Sequence, residues 1–134
     1  PARNQVLITG PISSLPWQGT FHVDKGYIYF RNVGNRLLLG GARNIDPEGE
    51  TTAEFGHSES IQTYLTDFLQ QKLLPNSQVS IENWWSGIMG VGPTKRAIVK
   101  QISDRISLAV RLGGMGVALG SKIAEEAAIL LRPQ

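Results

Sequence analysis

A cluster of glycines near the C-terminus is the clearest chemical signal in the sequence. Within "AVRLGGMGVALGSK" (residues 109–122), four of the eight positions from Gly113 to Gly120 are glycine. Glycine in or beside a helix costs about 0.5–1 kcal/mol relative to alanine, so this density suggests that a ligand approaches bare backbone. The first turn of the predicted helix has no Ser, Thr, Asp or Asn cap, so the N–H groups around Met115 to Ala118 are left for a ligand. The segment predicts a site for an anion or an electron-rich carbonyl, and a plain strand-to-helix turn is the equal alternative.

A second pattern distinguishes the two faces of a predicted hairpin. In "GYIYFRNVGNRLLLGG", the residues Tyr27, Tyr29 and Arg31 alternate with two apolar residues, Ile28 and Phe30. Alternate residues of a strand point to opposite faces, so the two sets are predicted to lie on different sides of a sheet. The Gly-Asn pair that follows suits a tight turn into "RLLLGG".

The remaining elements follow from periodicity and turn residues. "NQVLITG" and "SQVSIENWWSGIM" are typical of strands, "AIVKQI" and "RISLAV" predict two shorter strands, and the polar segment 40–56 predicts a loop. Ser58 is predicted to cap a helix that ends near Leu74, and a second helix is predicted over 117–131. The apolar side of the first helix comprises Ile61, Tyr64, Leu65, Phe68 and Leu69, and the inner side of the second comprises Ile123, Ala124, Ala127 and Leu131.

Composition argues against several classes of function. The 134 residues are the length of one domain, and the 13 basic and 11 acidic residues are spread along the chain, which gives little support to nucleic-acid or anionic-membrane binding. The absence of cysteine excludes disulfides, a thiolate nucleophile and thiol metal ligands, and fits a cytoplasmic location. With only two histidines we expect no metal site. No uncharged apolar stretch reaches the roughly 18 residues of a membrane span, and the first residues do not show a basic-then-apolar pattern.

Gly114, Gly116 and Gly120 loosely match a dinucleotide-binding fingerprint. A complete fingerprint requires a second strand and an acidic residue about 20 residues further on. Gly120 is followed by only 14 of the 134 residues. We therefore expect no self-contained Rossmann site within this chain.

The order of these segments resembles the C-terminal part of FAD-dependent oxidoreductases of the D-amino-acid oxidase, glycine oxidase and sarcosine oxidase type. The likeness runs from Gln5 to Leu131, and its most specific piece is the strand, glycine-rich turn and helix over 106–131, supported by the "WSGI" element at Trp85. In that family the N-terminal half carries the Rossmann unit that holds the FAD adenosine and pyrophosphate. The resemblance implies that this chain, which starts at Pro1, is a C-terminal fragment of a longer enzyme.

The resemblance also implies roles for particular residues. It places backbone N–H groups of the turn beside N1 and the C2 carbonyl of flavin, where negative charge gathers when N5 takes a hydride. The sheet would cover the flavin, Arg31 could clamp a substrate carboxylate, and Tyr27 or Tyr29 could add a hydrogen bond. Trp85 and Arg111 are further candidates for the substrate pocket. For Tyr27, Tyr29, Arg31 and Arg111 a solvated surface position is the alternative. The adjacent Trp84 and Trp85 are expected to face opposite sides of a strand, one in the core and the other on the pocket wall. The predicted cofactor-binding residues are Gly113, Gly114, Met115, Gly116 and Val117.

No residue is assigned a catalytic role, because orientation of the substrate near N5 does most of the work in this family. His22 and His57 are expected to be surface or cap-region residues. The sequence departs from the family pattern at two places: Lys95-Arg96 stands where Asp-Gly often follows the tryptophan loop, and "RLG" stands where the turn commonly reads Gly-His-Gly. The resemblance therefore leaves the substrate open.

We predict an α+β fold in which a mixed, mostly antiparallel sheet packs with helices. Residues 1–100 are expected to form a substrate-domain sheet with one main helix at about 58–74, and 101–134 to complete an FAD-binding domain whose N-terminal part is absent. The expected parent enzyme oxidises an amine, amino acid or 2-hydroxy acid by hydride transfer to flavin N5. Neither nucleic acid nor a membrane span is expected, and a homo-oligomer stays open. The alternatives are a self-contained α+β module that binds phosphate or carboxylate at the glycine-rich helix N-terminus, and a structural or interaction domain.

Overall fold

The computed structural model describes residues 1–132, so the last two residues of the region predicted over 101–134 lie outside the described part. The chain divides into two compact units, which we call the sheet unit (Arg3–Ile88) and the C-terminal unit (Met89 onward, with Pro1–Ala2). The expected α+β class is confirmed, since strands and helices both occur and four strand pairings are antiparallel. The assignment of the two regions to a substrate domain and a flavin domain stays a prediction.

A five-stranded sheet forms the framework of the sheet unit. Its neighbours run in the order β2-β3-β4-β1-β5. The central hairpin is the one expected from alternation, because Phe30 pairs with Leu39 and Val33 pairs with Arg36 across the Gly-Asn turn. The strands are β1 (Ala2–Thr9), β2 (Thr20–Val23), β3 (Ile28–Val33), β4 (Arg36–Gly41) and β5 (Ile81–Met89).

One face of this sheet is buried under the first helix. The helix α1 (Glu59–Phe68) continues into a π-helical turn, Leu69–Leu73, so the expected helix of about 58–74 is confirmed. Its residues Ile61, Leu65 and Leu69 are fully buried. Each buried aliphatic side chain contributes about 1.5–3 kcal/mol, so this layer accounts for much of the unit's stability. The same core contains Leu7, Ile28, Phe30, Leu37 and Leu39 from the sheet.

Three local expectations for the sheet unit need correction. Tyr27 is not a strand residue: its N–H bonds the Asp24 carbonyl at 2.9 Å, which closes a short turn with helical backbone at Tyr27. The strand β2 was not expected from the sequence, and it pairs antiparallel with β3. Ser58 occupies the N-cap position of α1, but its side chain makes no capping bond. Its hydroxyl is engaged instead with Gln5 and Glu50.

The polar loop over 40–56 contains a buried carboxylate that the sequence did not reveal. Glu50 is only 2% exposed, and its Oε1 accepts hydrogen bonds from Arg3 Nη2 at 2.8 Å and Gln5 Nε2 at 2.8 Å. The Ser58 hydroxyl adds a further bond at 3.2 Å. This network ties the loop and the start of α1 to β1. The hydrogen bonds with Glu50 also raise the pKa of Arg3, so the guanidinium keeps its charge.

The C-terminal unit consists of a hairpin and a helix. The strands β6 (Ile98–Ser103) and β7 (Ile106–Val110) pair antiparallel, and α2 (Gly116–Ile129) contacts both of them. The expected strands and helix are confirmed, but the expected inner side of the helix is not. Ala127 is buried, whereas Ala124 and Leu131 are exposed. A two-stranded hairpin covers only a narrow stripe of a helix, so most of the apolar surface of α2 is left open.

Candidate functional site

The glycine-rich segment forms a turn between β7 and α2. Gly113 and Gly114 have φ angles of +59° and +86°, which L-residues with a side chain rarely adopt. The Gly113 N–H bonds the Gly90 carbonyl at 3.1 Å, and the Met115 N–H bonds the Leu112 carbonyl at 2.9 Å. These bonds fix the turn so that α2 begins at Gly116.

The turn presents backbone donors that have no partner within the described chain. Met115 is the N-cap residue of α2, and it supplies no side-chain capping bond. Its carbonyl accepts from Ala118 at 3.1 Å and from Leu119 at 2.9 Å. Among residues 1–132, the N–H groups of Gly114, Gly116 and Val117 have no acceptor in the backbone or a side chain. The positive end of the helix dipole lies at the same place, so the turn suits negative charge or a carbonyl oxygen.

Space is open at Gly113 and Gly116, and it is tighter at Gly114, where a Cβ would lie 3.3 Å from Met89 Sδ. A Cβ built on Gly113 would meet no atom within 4 Å, and one built on Gly116 would meet only Leu112 Cδ1, at 3.8 Å. Val117 is fully exposed and Met115 is half exposed. The turn therefore places free N–H donors beside exposed apolar side chains. Such an arrangement suits a flat heterocycle that has carbonyl oxygens at its edge.

Arg111 lies directly before the turn and binds a neighbouring loop. Its Nη2 donates to the Arg96 carbonyl at 2.9 Å and to Thr94 Oγ1 at 3.1 Å, and its Nε donates to the same carbonyl at 3.2 Å. Its backbone φ is +61°, an unusual value for a residue with a side chain. Arg111 thus anchors the loop after β5. Its expected role in a substrate pocket stays a prediction.

The second candidate site is the face of the sheet opposite the core. Tyr29 and Arg31 alternate with the buried Ile28 and Phe30, so both lie on this face, as the sequence indicated. Tyr29 is half-buried, whereas Arg31 is exposed. His22 pairs with Tyr29 from β2, and their rings meet edge to face with centroids 6.4 Å apart.

Tyr29 makes one side-chain hydrogen bond. Asn4 Nδ2 donates to its Oη at 2.9 Å. Burial raises the pKa of Tyr29, and the bond from Asn4 opposes part of that rise because it stabilises the phenolate. The phenol is therefore neutral at physiological pH and available as a hydrogen-bond donor.

The other two predicted substrate-binding side chains do not lie beside Tyr29 on β3. Tyr27 precedes the strand, and the guanidinium carbon of Arg43 lies 5.1 Å from its ring centroid in a cation–π contact. Trp85 is 37% exposed on β5, and the neighbouring Trp84 packs against the core, as expected for adjacent strand residues. Two strands separate β3 from β5, a distance of about 14 Å at the usual spacing. Tyr29 and Arg31 are thus the pair that the sheet brings together.

Two residues near Tyr29 were missed by sequence reasoning. The sequence predicted that Asn4 begins an apolar strand and gave its side chain no role. A polar residue in such a strand is the signal that could have identified it. Gly40 pairs with Tyr29 across β3 and β4, and a Cβ there would lie 2.7 Å from the Tyr29 Oη. The sequence contains no signal for that contact because it depends on strand register.

Residues 1–132 contain no side-chain cluster suited to a metal ion and no membrane-spanning helix. No group of three or more His, Cys, Asp or Glu side chains in this part of the chain is arranged to hold a metal ion. None of its helices is long and apolar enough to cross a bilayer.

Comparisons with known proteins agree with this architecture. The sequence model of the family described as FAD dependent oxidoreductase (DAO) matches residues 1–130. The crystal structure of L-proline dehydrogenase from P. horikoshii superposes with a TM-score of 0.76 at 15% identity, over 98% of this chain and 35% of that chain. This chain therefore spans about a third of the length of that structure. No curated protein sequence matches it significantly.

The sequence and the fold place this chain in a known enzyme family. The family match covers nearly the whole sequence, and the chain belongs to the FAD dependent oxidoreductase family. That family is FAD-dependent, and the residues of the turn fit the cofactor, because unpartnered N–H donors lie beside open space at Gly113 and Gly116.

Proposed function

We propose that this chain is the C-terminal part of an enzyme that oxidises an amine, an amino acid or a 2-hydroxy acid with FAD. The fold and the family support an FAD-dependent oxidoreductase. The substrate class rests on Tyr29 and Arg31, on the face of the sheet opposite the core, which we call the open face. The alternative of a self-contained anion-binding module receives less support, because the family match extends over residues 1–130.

The observation that carries the cofactor proposal is the turn at 113–117. When bound there, FAD supplies the hydride acceptor at N5, and the negative charge that develops at its pyrimidine edge is favoured by a helix N-terminus. The N–H groups of Gly114, Gly116 and Val117 are the donors for that edge, and Gly113 gives the turn its conformation. Met115 and Val117 supply exposed apolar contact.

The exposed apolar surface of the C-terminal unit supports the proposal that this unit completes a larger domain. Large hydrophobic side chains are exposed on both its hairpin and its helix. A folded protein seldom leaves so many together, so we propose that the remainder of the flavin domain covers them. These side chains are Ile98, Ile102, Ile106, Val110, Val117, Leu119, Ile129, Leu130 and Leu131.

The open face of the sheet supports a substrate that carries a carboxylate. Arg31 is exposed, and its Nε donates a hydrogen bond to the Asn32 carbonyl at 3.2 Å. Its terminal nitrogens have no acceptor within residues 1–132, so they can form a charge-assisted pair with a ligand. Tyr29 on the same face adds a neutral donor. The family resemblance alone supports the proposal that Tyr27, Trp85 and Arg111 are further substrate contacts.

The cofactor proposal is tested by placing a carboxylate in the turn. We expect Gly116→Asp in the full-length protein to abolish retention of flavin, because the side chain fills the open space and its charge opposes the anion site. The turn lies at a helix mouth and outside the core, so the far-UV circular dichroism should stay unchanged. The measurement is flavin absorbance per protein, with circular dichroism on the same sample.

The matched control is Gly120→Asp, one helical turn further along α2. A Cβ at Gly120 also meets nothing within 4 Å, so the two variants carry the same substitution in open space. We expect Gly120→Asp to retain flavin. If Gly116→Asp retains full flavin as well, the turn is only a helix start and the proposed cofactor site is wrong.

A further inference from the structure

We propose that Asn4 and Gly40 are positioning residues for Tyr29, and that they hold its hydroxyl so that the hydrogen is left to donate to a carboxylate oxygen of the substrate. This role rests on the proposed function, which places a substrate carboxylate on the open face of the sheet. It adds two residues that neither the family resemblance nor the sequence pattern indicated.

Asn4 bonds the oxygen of the Tyr29 hydroxyl and leaves the hydrogen of that hydroxyl free. Asn4 is only 8% exposed, and its Nδ2 donates to the Tyr29 Oη at 2.9 Å. A phenol oxygen can accept and donate at the same time. Because the oxygen accepts from Asn4, and no side chain or carbonyl in residues 1–132 accepts from it, the hydrogen of the hydroxyl is available to a ligand.

Gly40 determines where the Tyr29 ring lies. The two residues are directly paired across β3 and β4, and a Cβ at Gly40 would come within 2.7 Å of Oη, 2.8 Å of Cζ and 2.9 Å of Cε2. The ring therefore lies across the bare backbone of β4 toward β1, where Asn4 is located. Any larger residue at position 40 would displace the ring and break its bond with Asn4.

The neighbouring charge of Arg31 favours a ligand with negatively charged oxygens, and the proposed substrate carboxylate supplies them. Arg31 follows Tyr29 by two residues on the same face, a rise of about 7 Å along the strand. Its side chain is long enough to bring the guanidinium to a ligand that also reaches the phenol. A carboxylate has two oxygens and can accept from both groups at once.

The first test reads the ionisation of Tyr29 directly. The full-length protein is labelled with fluorotyrosine, the Tyr29 resonance is assigned by its loss in Tyr29→Phe, and its ¹⁹F shift is followed against pH. In Asn4→Leu, a side chain of similar size donates no hydrogen bond, so the phenolate loses its stabilising partner. We expect the Tyr29 pKa to rise by about one unit, which corresponds to the loss of one hydrogen bond.

The sign of that shift decides the orientation of the bond. If the phenol instead donates to the Asn4 amide oxygen, removing that acceptor destabilises the neutral form and the pKa falls. A fall, or no change, would overturn the positioning role of Asn4.

The second variant tests Gly40 without altering a polar group. We expect Gly40→Ala to displace the Tyr29 ring and to weaken the hydrogen bond from Asn4, which changes the Tyr29 resonance and its titration curve. The matched control is Gly87→Ala on β5, where a Cβ meets nothing within 4 Å. If Gly40→Ala leaves Tyr29 as unchanged as Gly87→Ala does, Gly40 does not position the ring.

The third test addresses the ligand. We use glycine as the smallest amino acid and ethylamine as the matched molecule without a carboxylate. Glycine should shift the Tyr29 resonance saturably and raise its pKa, because an acceptor stabilises the neutral phenol, and ethylamine should not. A Tyr29 resonance that glycine does not move would overturn the proposed carboxylate donor. The titrations of Asn4→Leu and Gly40→Ala need no flavin, so a failure of the flavin proposal leaves them interpretable.

Discussion

Replacing Glu50 by alanine should destabilise the protein more than any other substitution of a charged residue in its loop. The carboxylate is 2% exposed and accepts from Arg3, Gln5 and Ser58, whose donor atoms lie 2.8–3.2 Å from Oε1. The Arg3 side chain is itself only 12% exposed. Removing one partner of a buried pair leaves the other charge uncompensated, which costs about 3–5 kcal/mol. We therefore expect Glu50→Ala to lower the free energy of unfolding by about that amount.

The assay is urea unfolding of the full-length protein, followed by circular dichroism, with Glu48→Ala as the matched control. Glu48 lies in the same loop, but it is exposed, and we expect less than about 0.5 kcal/mol for its removal. Glu50→Gln keeps the shape and one acceptor oxygen, so its cost should be intermediate. A Glu50→Ala loss as small as that of Glu48→Ala would refute the view that this network holds the loop on β1.

Three further outcomes are expected. Arg31→Leu should raise KM for a carboxylate substrate roughly 10- to 150-fold, since a charge-assisted pair contributes about 1.5–3 kcal/mol; steady-state kinetics measure this, and an unchanged KM would assign Arg31 to the solvated surface. Leu65→Ala should lower unfolding free energy by about 2–5 kcal/mol in urea titrations, because Leu65 is fully buried under the sheet, and a loss below 1 kcal/mol would contradict that packing. Because the pKa of Tyr29 is raised in the folded state, its stabilising contribution is full below about pH 10 and is lost as pH rises through the folded pKa. In Tyr29→Phe the loss of unfolding free energy at alkaline pH should be smaller. Denaturant titrations at pH 8 and above pH 10 measure this loss, and equal losses in the two proteins would contradict the contribution of Tyr29.

The sheet and its two faces were predictable because their signals are local. Alternation over Ile28 to Arg31 separated core from open face, and the Gly-Asn pair located the hairpin turn. The 3.6-residue periodicity of Ile61, Leu65 and Leu69 likewise located the buried side of α1. Each of these signals lies within a few residues of the structure that it specifies.

The errors arise where a distant partner decides the outcome. Ser58 has the residue type and position of a helix cap, but its hydroxyl bonds Gln5 and Glu50, residues far apart in the sequence. Tyr27 lies outside the strand because the turn before it has left-handed backbone at Asp24 and Lys25. Neither residue type requires that conformation, so the sequence did not predict the turn. In the sequence, Glu50 resembles an ordinary charged loop residue, because its partners Arg3 and Gln5 lie on the distant strand β1.

The same limit applies to the candidate site. The glycine turn before α2 was predictable from its composition and from the missing cap, and its role as a cofactor site stays a prediction. The contact of Tyr29 with Asn4 and Gly40 required the register of three strands. Ala124 and Leu131, on the expected inner side of α2, are exposed in this chain, because periodicity identifies an apolar side of a helix but does not tell whether a neighbour covers it.

The most direct test of the central claim is the anaerobic absorbance spectrum of the purified full-length protein during titration with amines, amino acids and 2-hydroxy acids. The account predicts a bound flavin spectrum that at least one of these compounds bleaches, with bleaching lost in Gly116→Asp and retained in Gly120→Asp. A protein that carries no flavin after supplementation with FAD, or whose flavin none of the three classes bleaches, would contradict it.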